Sequence, residues 1–240
     1  ESPAISLVAA GSLLGIRLGE ATSFPVGKIH FLHLYPLTFF EFLKGIGKQA
    51  LCDYLLSKKD FLPLEEPFHE ELVSLLKTYL FVGGLPEAIL AYYETKDFQE
   101  VRVRQMSILE AYENDFSKYA SKTESLKISG VGRAAPLQLA RETKKFRYAE
   151  IKKGGRAAEF EGALSWLSQA GLVHLSTNIK TPLLPLGAYQ DESKFKLYLV
   201  DTGILAALLG VGAKTIVEGH KLFAQYNGAF TENFVAQELT

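Results

Sequence analysis

A chain of 240 residues with 48% hydrophobic and 22% charged residues has room for one large domain or two small ones, in the composition range of soluble globular proteins. Its formal net charge of −1 singles out neither a nucleic acid nor an acidic partner. Cys52 is the only cysteine, which excludes an intrachain disulfide and a cysteine-built metal site and fits a reducing, cytoplasmic compartment.

The average hides a contrast. Residues 61–120 hold 11 acidic and 5 basic side chains, whereas residues 121–160 hold 10 basic and 4 acidic ones. That segregation points to an anionic partner for the second segment. No run approaches the roughly 18 apolar residues of a membrane helix, so no membrane partner is expected. The first residues, Glu1-Ser-Pro-Ala-Ile, lack the basic region of a signal peptide. The missing initiator Met, and an end inside an apparent helix at Thr240, are what a piece cut from a longer protein would show.

In chain order, the apolar run Ile5 to Ala10 stops at Gly11-Ser12 and predicts a buried parallel strand. Lys28 to Leu34 predicts a second strand, broken by Pro36. Two strands form no free-standing sheet, so their partners must lie elsewhere. Thr38 and Glu41 have capping-box spacing for a helix through Leu43. From Phe39 to Phe116 the pattern is helical, with a break at Gly83-Gly84 and a new start at Pro86. The recurrence of Phe98, Val101, Gln105, Ile108, Tyr112, Phe116 and Tyr119 predicts one long amphipathic helix.

Residues 126–209 predict a helix, a short helix and a longer helix, then two strands around a loop. Phe160, Ala163, Leu164 and Leu167 share a helical face that Gly171 ends. Val173 to Ile179 and Lys194 to Val200 are the strands. This is the order of a winged helix-turn-helix. Asp201 caps a short following helix, residues 210–219 read as a junction, and Tyr226, Phe230 and Phe234 begin a final helix. The fold class expected is α+β, mostly helical.

Few residues suggest chemistry. Gly11 to Gly15 lacks the lysine of a phosphate loop. Ser12 is therefore either a turn residue or a ligand-facing polar group at a strand end. Lys28 is either a solvated charge or a cation for a phosphate. His30 and His33 would fall on opposite strand faces, and the other histidines stand alone, so no metal is expected. Glu110, Glu113 and Asp115 read as a solvated helix face. Lys144, Lys145, Arg147, Lys152, Lys153 and Arg156 are six cations within 13 positions, at the start of the expected recognition helix. They could neutralise the phosphates of double-stranded DNA. A basic face meeting this protein itself, or another acidic protein, is the alternative.

Several stretches together carry a resemblance. Ala9-Ala-Gly-Ser-Leu-Leu-Gly-Ile16, Ser23-Phe-Pro-Val-Gly-Lys28, Leu34-Tyr-Pro-Leu-Thr-Phe39 and Gly83-Gly-Leu-Pro-Glu-Ala88 occur in order with Phe146-Arg-Tyr148, Leu197-Tyr-Leu-Val-Asp-Thr-Gly203 and Phe230-Thr-Glu-Asn-Phe-Val235. The set resembles a bacterial and archaeal family of AAA-type ATPases, in which a winged helix and a restriction-endonuclease-like domain follow the ATPase core. The resemblance implies that residues 1–37 end the ATPase core and 38–120 form a helical connector or lid. It makes 121–210 the winged helix and 211–240 the start of a nuclease-like domain. Ser12 becomes a candidate γ-phosphate sensor, and Lys28 stands where some members carry an arginine. ATP and Mg2+ would serve the intact parent. This piece, without Walker A and B segments, is expected to hold no cofactor and to be inactive. Glu232 would have no nuclease partners here.

Overall fold

A computed structural model of the chain describes residues 8, 10–11, 30–60, 62–141, 143, 145–217 and 227–240, without the side chains of Ser117 and Tyr119. The first expected strand falls mostly outside these residues. The second does too at Lys28 and Ile29, and residues 30–34 carry no strand pairing.

Six helices follow. Helix α1 (Phe39–Gly45) opens on the expected box: Glu41 N–H donates to Thr38 Oγ1 at 3.3 Å, and Thr38 N–H to the Glu41 carboxylate at 2.8 Å. Helices α2 (Gln49–Ser57) and α3 (Glu66–Val82) come next. Gly83, at φ 79°, ends α3, and Pro86 starts α4 (Pro86–Thr95). Helix α5 (Phe98–Tyr119) is the long amphipathic one, capped by Asp97. A second capping box, Ser121 with Glu124, opens α6 (Lys122–Ala140), which runs on through Pro136.

A 3-10 turn (Tyr148–Glu150) leads to α7 (Ala157–Gln169), which Gly171 ends at φ 69°. Strands β1 (Val173–Ile179) and β2 (Gln190–Leu199) pair antiparallel, Val173 opposite Leu199, as a two-stranded sheet. Register slips where Thr177 faces Phe195 but Asn178 faces Asp191, so residues 192–194 bulge from β2. Helix α8 (Thr202–Leu208) is capped by Asp201 as expected. The stretch read as a junction contains the short helix α9 (Ala213–Val217), whose Ile216 is fully buried. Helix α10 (Asn227–Glu238) is the last. The described chain is thus mostly helical α+β.

Buried apolar side chains form one cluster reaching from Phe39 to Phe230, across the boundaries drawn after residues 120 and 210. At its centre lies a polar node. Asp201, fully buried, accepts from Gly84 N–H at 2.5 Å and from Ile204 N–H at 2.9 Å. Gln237 accepts from Thr202 N–H at 3.0 Å and donates to the Tyr79 hydroxyl at 2.8 Å. That hydroxyl donates to the Leu37 carbonyl at 2.5 Å, and Leu37 N–H donates to Gly84 O at 2.7 Å. Glu238 accepts from Phe39 N–H at 2.8 Å. Nearby, Asn233 bonds both backbone groups of Leu199, at 2.7 and 3.0 Å. Helix α10 is therefore held by side-chain amides that satisfy strand and helix ends.

Candidate functional site

One concavity among the described residues is cationic. It is a groove of about 1100 Å³ lined by Arg141, Lys145, Arg147, Lys194 and Lys196, with Glu150 and strand residues Ser176 to Ile179. Two pieces of chain build it. One is the connector after α6; the other is the hairpin.

Phe146 fixes the connector. Its ring is buried and stacks on Phe195 at 5.6 Å, and its N–H donates to Phe195 O at 2.8 Å. In extended chain, neighbours of an inward residue point outward. Lys145 and Arg147 are accordingly exposed, with no ion pair among the described residues. Gln138, buried on α6, clamps Arg147 from below: its amide accepts from Arg147 N–H at 2.7 Å and donates to Arg147 O at 3.1 Å. Gln138→Ala would orphan both backbone groups. It is expected to lower the unfolding free energy by about 2 kcal/mol in a urea titration, with faster amide exchange at Arg147.

The hairpin supplies the other wall. Lys194 and Lys196 are two apart on β2 and share a face, while Phe195, Leu197 and Leu199 are buried on the other. Partial neutralisation tempers the groove. Arg141 pairs with Glu150 at 2.6 Å, Lys196 with Glu232 at 2.5 Å, and Lys194 lies 3.6 Å from Asp191. Burial and the Glu232 charge push the Tyr198 hydroxyl up to about 12, so it stays protonated beside that pair. Glu232 is thus engaged with the hairpin.

The sequence-derived cations divide. Lys145 and Arg147 line the groove; Lys144, like Ser12 and Lys28, lies outside the described residues. Lys152, Lys153 and Arg156 are exposed but do not line it. Lys152 pairs with Glu159 at 2.8 Å, and that hydrogen bond holds the Glu159 carboxyl below its usual range. These cations precede α7 and are not on it, because Gly154-Gly155 keeps the backbone turning until Ala157. The helix itself presents Glu161, Gly162, Ser165 and Ser168 to solvent, and no cation. Three groove cations went unflagged in the sequence. Lys194 and Lys196 were findable from strand alternation; Arg141 sits one residue past a helix end, where pattern gives no signal.

An apolar cavity between α5, α6, α7 and α8 is only about 70 Å³, well below the roughly 300–1,000 Å³ of small-molecule sites. Among the described residues no three His, Cys, Asp or Glu side chains gather as a metal site, and no helix is long and apolar enough to cross a membrane.

What the fold and site define is a mostly helical α+β chain whose hairpin and connector enclose a cationic groove. Residues 73–215 match a family described as a domain of unknown function, DUF8612, and the chain belongs to that family. No curated protein and no solved structure matches it.

Proposed function

We propose that residues 121–210 act as a winged helix that binds double-stranded DNA through the groove between connector and wing, in the C-terminal region of an AAA-type ATPase. The observation that supports this is the convergence of Arg141, Lys145, Arg147, Lys194 and Lys196 from two distant stretches onto one concave surface. A row of cations spaced along a groove is suited to successive phosphates and releases their counterions. The role assigned to Lys152, Lys153 and Arg156 becomes secondary: they extend the positive field beside the groove. Nucleotide enters this proposal only through the parent protein, and no step here runs through Ser12 or Lys28.

A second reading, a non-catalytic interaction or oligomerisation module, is favoured by the cation-free outer face of α7. Fluorescence anisotropy of a labelled duplex at several salt concentrations separates the two. Micromolar binding is expected, with a salt slope that falls by about 0.9 for each phosphate contact removed, hence about 1.8 for K145A/R147A. The triple variant K152A/K153A/R156A should move it less. No binding at low salt, or binding indifferent to the groove variants, would leave the interaction module as the better account.

A further inference from the structure

Five cations line the groove, and three of them already face a carboxylate. Two of those carboxylates belong to the pieces of chain that build the groove. Glu150, on Arg141, sits in the connector; Asp191, 3.6 Å from Lys194 and 3.9 Å from Lys180, sits in the hairpin. The third comes from elsewhere. Glu232 reaches Lys196 from α10, 36 residues along the chain, at 2.5 Å. The Tyr198 hydroxyl donates to the same Glu232 oxygen at 3.3 Å and so aims that carboxylate at the hairpin. Glu192, exposed in the bulge, adds a negative charge but does not line the groove. Lys145 and Arg147 are the two lining cations with no ion pair among the described residues.

The Glu232 pair does little to hold α10 in place. That helix is seated by its buried face, Ala229, Phe230, Asn233 and Gln237. Asn233 and Gln237 bond backbone groups of Leu199 and Thr202 there. The pair itself is partly open to water, with 28% of the Lys196 side chain and 40% of the Glu232 side chain exposed. An ion pair in that setting adds little to stability. Its effect falls on the groove instead. An ammonium has three N–H donors, so Lys196 could still hydrogen-bond a phosphate beside Glu232. The paired ammonium is already neutralised, however, and a phosphate that meets it releases no counterion. Glu232 thus removes the charge by which Lys196 would attract a phosphate.

We propose that Glu232 is an autoinhibitory counter-charge: placed on Lys196 by α10, it competes with phosphate for that ammonium and holds down the groove's affinity for duplex DNA. This deepens the DNA-binding reading above and rests on it. Lys145 and Arg147 make the first attraction, and Lys196 joins them only when Glu232 gives way. Because Glu232 stands outside the connector and the hairpin, its withdrawal leaves both walls of the groove intact.

The test titrates a labelled duplex with the full chain, E232Q, K196A, E232Q/K196A and E192Q at several salt concentrations. Glutamine keeps the shape of Glu232 and an acceptor for Tyr198, so the variant should fold, and matching circular dichroism and thermal midpoint confirm it. E232Q is expected to bind about three- to fivefold tighter at low salt. Its salt slope should be steeper by about 0.9, the mark of one further phosphate contact. In the K196A background the same substitution should leave the slope unchanged, because no ammonium remains to be freed. E192Q should leave it unchanged as well. An E232Q variant that binds like the parent or more weakly would overturn the counter-charge and leave the DNA reading intact. So would a steeper slope that persists without Lys196 or appears equally in E192Q, since the carboxylates would then act through the general field and not through one pair. Duplex binding by E232Q where the parent chain shows none would be the expected result in its strongest form. No duplex binding by either chain overturns both readings.

Discussion

Gly84→Ala is expected to lower the unfolding free energy by about 3 kcal/mol in a urea titration. A Cβ placed there would lie 2.2 Å from the Leu37 carbonyl oxygen and 2.9 Å from the Leu37 nitrogen. Both are backbone atoms, so no side-chain rotation can relieve the overlap. The segment carrying Leu37 would have to retreat, breaking its hydrogen bond to Gly84 O at 2.7 Å and pulling on the carbonyl that Tyr79 holds. Tyr79 is fully buried, so each group released finds no water in compensation. Gly162→Ala supplies the contrast. Its Cβ would meet nothing within 4 Å and lies in the middle of α7, so it should raise stability by about 0.5–1 kcal/mol. A loss below about 1 kcal/mol for Gly84→Ala would mean that the Leu37 segment is not held where the node places it.

Asp201 should give the chain a stability that falls as pH rises through the mildly acidic range. Burial pushes its carboxyl from an ordinary 3.8 up to about 6, against the pull of the Gly84, Ile204 and Gly203 N–H groups and Gln237, which favour the charged form. The folded chain therefore binds this proton more tightly than the unfolded chain. The resulting stability is fully present below pH 3.8 and is lost as pH rises through about 6. In Asp201→Asn that dependence disappears. The advantage of the parent chain over Asp201→Asn should shrink by about 2–3 kcal/mol between pH 4 and pH 7 in denaturant titrations. An advantage that grew over that interval would mean that the hydrogen bonds, and not burial, govern this carboxyl. Asp201→Ala isolates the other half. It orphans the Gly84 and Ile204 N–H groups at roughly 1–3 kcal/mol each.

The helices and hairpin were legible because local signals coincide in them. Thr38 with Glu41 announces α1, Gly83 and Pro86 mark both sides of a break, and the apolar face of α7 ends at Gly171. Asp201 was readable as a cap from its position alone. Its bond to Gly84 was not, because 117 residues separate them. Gln105, Gln138, Asn233 and Gln237 are buried amides. A polar side chain defaults to the surface, and only the backbone group awaiting it in the fold reverses that expectation. The groove was half legible. Charge density marked Lys145 and Arg147, but it is long-range packing such as the Phe146–Phe195 contact that brings the connector against Lys194 and Lys196. The junction at 210–219 hid α9, since five residues are too few for a helical period to emerge.

The node that joins Leu37, Tyr79 and Gln237 also sets a mechanical property of the molecule. Residues near the start of the described helices and residues at their end are fastened at one point, so the intervening chain is a ring closed at its stem. Tension applied along the backbone before Leu37 would load Tyr79 and Gly84 first and pass through Gln237 into α10. From α10 the load would reach the hairpin too, because Asn233 holds both backbone groups of Leu199 on β2 and Glu232 pairs with Lys196. A tug at the stem is thus carried from one end of the ring to the other, and the two ends behave as a single attachment point.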